Sequence, residues 1–213
     1  YNATTEEPAF PTGNGLAASG LGAAIVSAKT IDDSHGVSVN VDATTDAPWF
    51  ALTTRGNDDK TKETKQLKYS FEFYANKLSA GIFHGLGHQP NNGGRAFNNF
   101  VSMSKDGKLT FLDGSTATYT TGKWYTFQII VDIPNQTYGI LFGETGTSLD
   151  VVVDESTPLK TAWDNVVNFR LTTAKDSSVV YDNFYSYKYV EIPGVESALY
   201  DQIVNQVQLN FRK

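Results

Sequence analysis

The feature that most constrains what this chain can fold into is an alternation of period two that recurs along much of its length. "VSVNVDA" sets Val37, Val39 and Val41 on one side and Ser38 and Asn40 on the other. "QLKYSFEFYAN" sets Leu67, Tyr69, Phe71 and Phe73 against Lys68, Ser70 and Glu72. "KWYTFQIIVD" aligns Tyr125, Phe127, Ile129 and Val131, and "VVNFRLTT" aligns Val167, Phe169 and Leu171. Successive side chains of a strand point to opposite faces, so the pattern implies strands that bury one side. Further strands are expected at 22–29, 48–54, 80–86, 98–104, 107–112, 136–142, 149–153 and 178–190. Turn formers separate several of them: "KDGK" at 105–108, "LDGS" at 112–115, "TTGK" at 120–123 and "IPNQ" at 133–136. About a dozen strands at short spacing, with no crossover helices, predict an all-β, two-sheet antiparallel β-sandwich with at most one or two short helices.

At 213 residues, 40% of them hydrophobic and 13% aromatic, the chain can build one large core. A single sandwich domain is expected over 1–213, with 1–20 an N-terminal extension. "RGNDDKTKETKQ" at 55–66 is a charged, solvated loop. In 191–213, after Pro193–Gly194, Val195, Leu199, Ile203 and Val207 recur every four residues, as in a short helix. "QIVNQVQLNF" alternates well enough for a final strand instead, and both readings stay open. The opening "YNATTEEPAF" has no initiator Met and no apolar leader, so a segment of a larger, multidomain chain is expected.

A formal net charge of −6 argues against nucleic acid or an anionic membrane surface as partner. An acidic polysaccharide is likewise a poor non-specific partner and would need a local basic patch. No apolar run approaches the roughly 20 residues of a membrane span, so no membrane insertion is expected. The absence of cysteine leaves the redox compartment undetermined.

The order of the strands carries a resemblance. "LKYSFEFYANKLSAGIFHGLG", then "NNFVSMSKDGKLTF", then "TTGKWYTFQIIVDIPNQTYGILFGE" resembles the concanavalin A-like, laminin-G-like jelly roll. The close "VVNFRLTTAKDSSVVYDNFYSYKY" is similar to the ending of many such domains and of several carbohydrate-binding jelly rolls. The resemblance covers roughly residues 20–190. It implies an extracellular or cell-surface setting and a lectin-like, non-catalytic carbohydrate-binding module of a larger, bacterial protein. The alternatives are a polysaccharide lyase or glycoside hydrolase of the same fold, and an adhesion domain that binds protein. The resemblance also implies a structural calcium. Asp182 in "YDNF" is the matching carboxylate, with Glu6, Glu7 or Asp42 as a second acid; the competing reading is a hydrogen-bonded structural Asp182.

The candidate site lies in "GIFHGLGHQPNNGGRAFNNF", residues 81–100. His84, His88, Gln89, Asn91, Asn92, Arg95, Asn98 and Asn99 gather amides, imidazoles and a guanidinium, the groups that take paired sugar hydroxyls. Gly85, Gly87, Gly93 and Gly94 suit either close approach to a ligand or a bare turn. Sugar sites also need an aromatic face. Tyr185 and Tyr187, in the stripe Tyr181, Tyr185, Tyr187 and Tyr189, are candidates, and so is loop-borne Trp163; Trp49 and Trp124 suit packing better. His84 and His88 stand four apart, a metal spacing on a helix but not on a strand and loop. No strand carries the alternating acids of a two-carboxylate glycosidase: in "DVVVDESTP" the adjacent Asp154 and Glu155 point to opposite faces of any strand, which disfavours a glucanase. A lyase would draw on His84, Arg95, Asn99 and a tyrosine such as Tyr185.

Overall fold

The alternation becomes two seven-stranded antiparallel sheets in a computed structural model that describes residues 16–19, 24–35, 37–44, 49–53, 62–63, 66–90 and 93–188. With strands numbered in chain order, the first sheet runs edge to edge β1 (Leu16–Ser19), β4 (Trp49–Thr53), β13 (Asn165–Thr173), β6 (Gly81–His88), β7 (Arg95–Met103), β8 (Lys108–Phe111) and β9 (Thr116–Thr118). The second runs β12 (Asp150–Pro158), β11 (Thr137–Glu144), β10 (Trp124–Asp132), β5 (Gln66–Ala75), β14 (Ser178–Lys188), β3 (Val37–Ala43) and β2 (Ala24–Thr30). No helix occurs among the described residues, and none there could cross a membrane as a long apolar helix. The segment 191–213 and the acids Glu6 and Glu7 lie outside the described residues.

The apolar faces meet between the sheets. Phe71 and Phe73 of β5 and Phe127 and Ile129 of β10 are all buried, and the register places Phe127 opposite Phe71. From the first sheet, Phe83 enters edge-on against Phe127 with ring centroids 5.4 Å apart, and Phe100 stacks on Phe169 at 5.6 Å. Each such ring contributes about 1.5–3 kcal/mol of burial relative to exposure. Turn chemistry closes the hairpins as expected. Gly107 has φ 79° and Gly122 φ 80°, a region that costs side chains with a Cβ.

Several expectations shift. Leu16–Ser19, expected inside an N-terminal extension, pairs with β4 as an edge strand too short for its alternation to show. Strand β7 begins at Arg95 rather than 98, and β9 adds an edge strand not foreseen. Trp163 is fully buried, not displayed. Its ring lies across β6, where a Cβ at Gly85 or Gly87 would come within 2.6 Å or 2.5 Å of it, and its indole N–H donates to the Ala96 carbonyl at 3.1 Å. Gly85 and Gly87 therefore make room for a tryptophan, not for a ligand or a turn.

The tyrosine stripe is broken by a bulge. Asp182 pairs with Glu72 but Tyr185 pairs with Ser70, and Asn183 between them has φ 49°. One extra residue flips the strand's facing. Tyr181 is accordingly in the core while Tyr185 lies half-buried on the outer side of the second sheet. Tyr187 follows opposite Lys68 on the same strand.

Candidate functional site

The outer face of the first sheet gathers the most chemistry. Across three adjacent strands, Arg170 of β13 stands opposite His84 of β6, and His84 opposite Asn99 of β7. Directly opposed residues have Cβ atoms about 4.5–5.5 Å apart, so the three side chains form a row across the strands. The row continues to β4 with the buried Ala51 opposite Arg170. The Arg170 guanidinium carbon lies 4.1 Å from the Trp49 ring centroid and 5.2 Å from that of Phe97. His84 meets Phe97 edge-on at 4.6 Å. Phe97 is 45% exposed, unusual for a large apolar ring, and Ile82, two positions from His84 on β6, is 36% exposed.

Alternation explains the arrangement. In "RAFNNF" the residues Arg95, Phe97 and Asn99 share one face, while Asn98 and Phe100 turn inward. In "NFRLTT" Phe169 and Leu171 enter the core, so Arg170 must point out. Arg170 is oriented locally: its Nε donates to Asn168 Oδ1 at 3.1 Å. Among the described residues its terminal nitrogens, the His84 ring nitrogens and the Asn99 amide make no hydrogen bond within the protein. Burial first, and then the charge of Arg170, push the His84 imidazole down to about 4, so it is neutral at neutral pH. Burial, and then the charge of Arg95, lower Arg170 from its ordinary value; a guanidinium stays charged through such a shift.

The other candidate residues separate from this row. Asn98 is buried and clamps the Thr161 backbone, accepting its N–H and donating to its carbonyl, both at 2.9 Å. His88 is buried beside Asn165, its Nδ1 3.4 Å from the Gly93 carbonyl. Both are corrected from ligand contacts to structural groups, as is Trp163. Arg95 is exposed at the start of β7, on the same face as the row. Tyr185 sits on the opposite sheet, so it cannot join His84, Arg95 and Asn99 in one site. Asn91 and Asn92 lie outside the described residues. The sequence reading passed over Arg170, Phe97 and Asn168, and took Trp49 for packing. The alternation of "RAFNNF" and "NFRLTT" was the signal that could have found the first two.

A second polar cluster covers part of the other sheet. His35 Nδ1 is 2.8 Å from Asp32 Oδ1 and its Nε2 2.9 Å from Glu72 Oε2. Asn183, held by the bulge, donates to the same Glu72 oxygen at 2.6 Å. The imidazole stacks on Trp124 at 3.8 Å and 9°, and Trp124 Nε1 donates to Asp32 Oδ2 at 2.8 Å. Burial alone would lower the His35 pKa, but the hydrogen bonds and charges of Glu72 and Asp32 outweigh it and raise it. The same bonds from Ser34 and His35 hold Asp32 well below the carboxylate range against the opposing effect of burial. These groups satisfy one another, and they pin the loop at 31–35 onto β5 and β10.

Asp182 is buried opposite Glu72, and its Oδ1 accepts the Asn183 backbone N–H at 2.7 Å. Asp42 pairs with Ser178, four positions along the strand and so about 13 Å away, too far to share an ion with Asp182. Among the described residues no group of three or more histidines and acids is placed to hold a metal.

The fold is the concanavalin A-like jelly roll. Lectin II from Ulex europaeus aligns at TM-score 0.54 and 10% identity, over 85% of this chain and 95% of the lectin. A GH131 β-glucanase catalytic domain from Podospora anserina aligns at 0.51 and 12% identity, over 89% of this chain and 90% of that domain. A sialidase aligns at 0.50 and 14% identity over 81% of this chain, which spans only 17% of the sialidase. At such identities the likeness is one of fold alone. No protein-family profile and no curated protein matches the chain.

Proposed function

We propose that this protein is a non-catalytic carbohydrate-binding module, lectin-like in fold, that works outside the cell or at its surface and takes a polysaccharide or glycan on the outer face of the first sheet. One observation carries the reading. Arg170, His84 and Asn99 stand in a row on adjacent strands with hydrogen-bonding capacity unused among the described residues, framed by the rings of Trp49 and Phe97. A sugar needs that combination: planar groups for its hydroxyls and an apolar ring face for its C–H surface. The lectin and the glucanase that share the fold support the class of ligand.

Binding is favoured over hydrolysis because the described side chains of β4, β6, β7, β8, β9 and β13 include no carboxylate, and a glycosidase needs two across the scissile bond. The lyase set does not converge either, since Tyr185 is on the other sheet. The test is a glycan array and polysaccharide retention assay, read together with the appearance of reducing or unsaturated ends. Phe97→Ala and Asn99→Ala should each weaken retention about threefold to tenfold at unchanged stability. Retention that neither variant alters would refute this face as the site, and new chain ends would replace binding with catalysis.

A further inference from the structure

Building on the carbohydrate reading of this face, we propose that its ligand is an anionic glycan, whose carboxylate or sulfate ester is received by the guanidinium of Arg170. The placement of charge leads there. The chain carries 23 acidic against 17 basic residues, yet the described strand residues facing out of the first sheet include the cations Arg170, Arg95 and Lys108 and no acid. Lys123 meets a carboxylate, that of Glu144, at 2.7 Å, and His35 meets those of Glu72 and Asp32. Arg170 meets none among the described residues: its contacts are the Asn168 amide oxygen and the rings of Trp49 and Phe97. This is the local basic patch that an acidic chain would need to bind an acidic polymer.

The geometry suits an oxyanion better than a hydroxyl. Asn168 engages Nε and fixes the fork, leaving both terminal nitrogens to form parallel bonds to two oxygens of one group. The Trp49 face covers one side of the guanidinium and removes water from it, which strengthens an ion pair formed there. A partly buried cation without a counter-ion is unfavourable, and a ligand anion relieves that cost. His84 and Asn99, next in the row, are left for neighbouring hydroxyls.

The experiment compares matched polymers differing only in charge: polygalacturonate and hyaluronan against their methyl esters for the carboxylate, and a sulfated galactan against its desulfated form for the sulfate ester. Affinity electrophoresis of the whole chain gives the ratio within each pair. At least one anionic member should bind about tenfold or more tightly than its neutral partner. That ratio should fall towards one in Arg170→Gln, recover partly in Arg170→Lys, and shrink with added salt. The pair that responds identifies carboxylate or sulfate. The wild-type ratios do not depend on the variants folding. Equal binding of both members in every pair overturns the anionic preference and leaves the carbohydrate reading standing, as does a ratio that Arg170→Gln preserves. No retention of any polymer overturns both.

Discussion

Replacing Gly85 with alanine should destabilise the sandwich, and a change at Trp163 should undo the damage. A Cβ at Gly85 would lie 2.6 Å from Trp163 Cη2 and 3.0 Å from Phe100 Cε2. Apolar carbons rest about 3.5–4.0 Å apart, so the indole's far ring would have to retreat by about 1 Å into a filled core. Overpacking of that kind costs about 1–3 kcal/mol. Trp163→Phe removes the six-membered ring of the indole and the bond to Ala96, costing on the order of 2 kcal/mol by itself. In that background Gly85→Ala should cost little, giving a coupling energy of about 1–3 kcal/mol. Gly87 is the control. Its Cβ would meet Trp163 Cγ at 2.5 Å and also the Asn165 backbone oxygen at 2.5 Å, and neither obstacle leaves with the outer ring. Gly87→Ala should therefore stay damaging in both backgrounds. Equilibrium urea unfolding of the single and double variants, at constant m-value, gives the cycle. Additivity of Gly85→Ala and Trp163→Phe within about 0.5 kcal/mol would refute the idea that position 85 is glycine on the tryptophan's account.

Phe127→Ala should cost about 3–5 kcal/mol in the same assay, because the ring is wholly enclosed by Phe71, Phe73, Phe83 and Phe142; a loss below 1 kcal/mol would contradict the shared layer. The two described histidines with shifted values should act on stability with opposite sign. His84 falls from 6.5 to about 4, so the unfolded chain takes up a proton first and stability drops as pH falls from about 6.5 to about 4, by at most about 3 kcal/mol. His35 is raised, so its contribution is full below pH 6.5 and is lost as pH rises through the folded value. His84→Gln should flatten the acid limb of a stability–pH curve and His35→Gln the limb above it; curves parallel to the wild type would refute both assignments. Calcium at Asp182 predicts a melting temperature that chelator lowers and millimolar Ca²⁺ restores by mass action; an unchanged melting curve would leave Asp182 as a structural acid that accepts the Asn183 N–H.

The sandwich was legible because alternation is a property of neighbours in sequence. Lys68 to Phe73 state their facing without reference to any other strand. The site was legible only in part, for the same reason. His84, Arg95 and Asn99 were found as a local density of polar groups, but that density could not separate outward Asn99 from inward Asn98. The bulge at Asn183 is one residue long and inverts the facing of Tyr185, so Tyr181 and Tyr185 looked alike in sequence and are not. Arg170 and Trp49 reach the row only through the pairing of β13 with β4 and β6, and His35 finds Glu72 across 37 positions. Such long-range pairings leave no periodic trace.

The chain's three tryptophans fall in three different environments. Trp49 lies under the Arg170 guanidinium, Trp163 is sealed in the core, and Trp124 is stacked on His35 on the far side of the second sheet. Intrinsic fluorescence therefore carries three separable signals. Emission from Trp49 should respond to an occupant of the row, and Trp163 should stay blue-shifted until the sheets part. Trp124, in contact with an imidazole that gains and loses a proton, should dim as His35 becomes charged. Variants that keep one indole at a time would turn the molecule into its own probe of occupancy, unfolding and local protonation, with no label added to any surface.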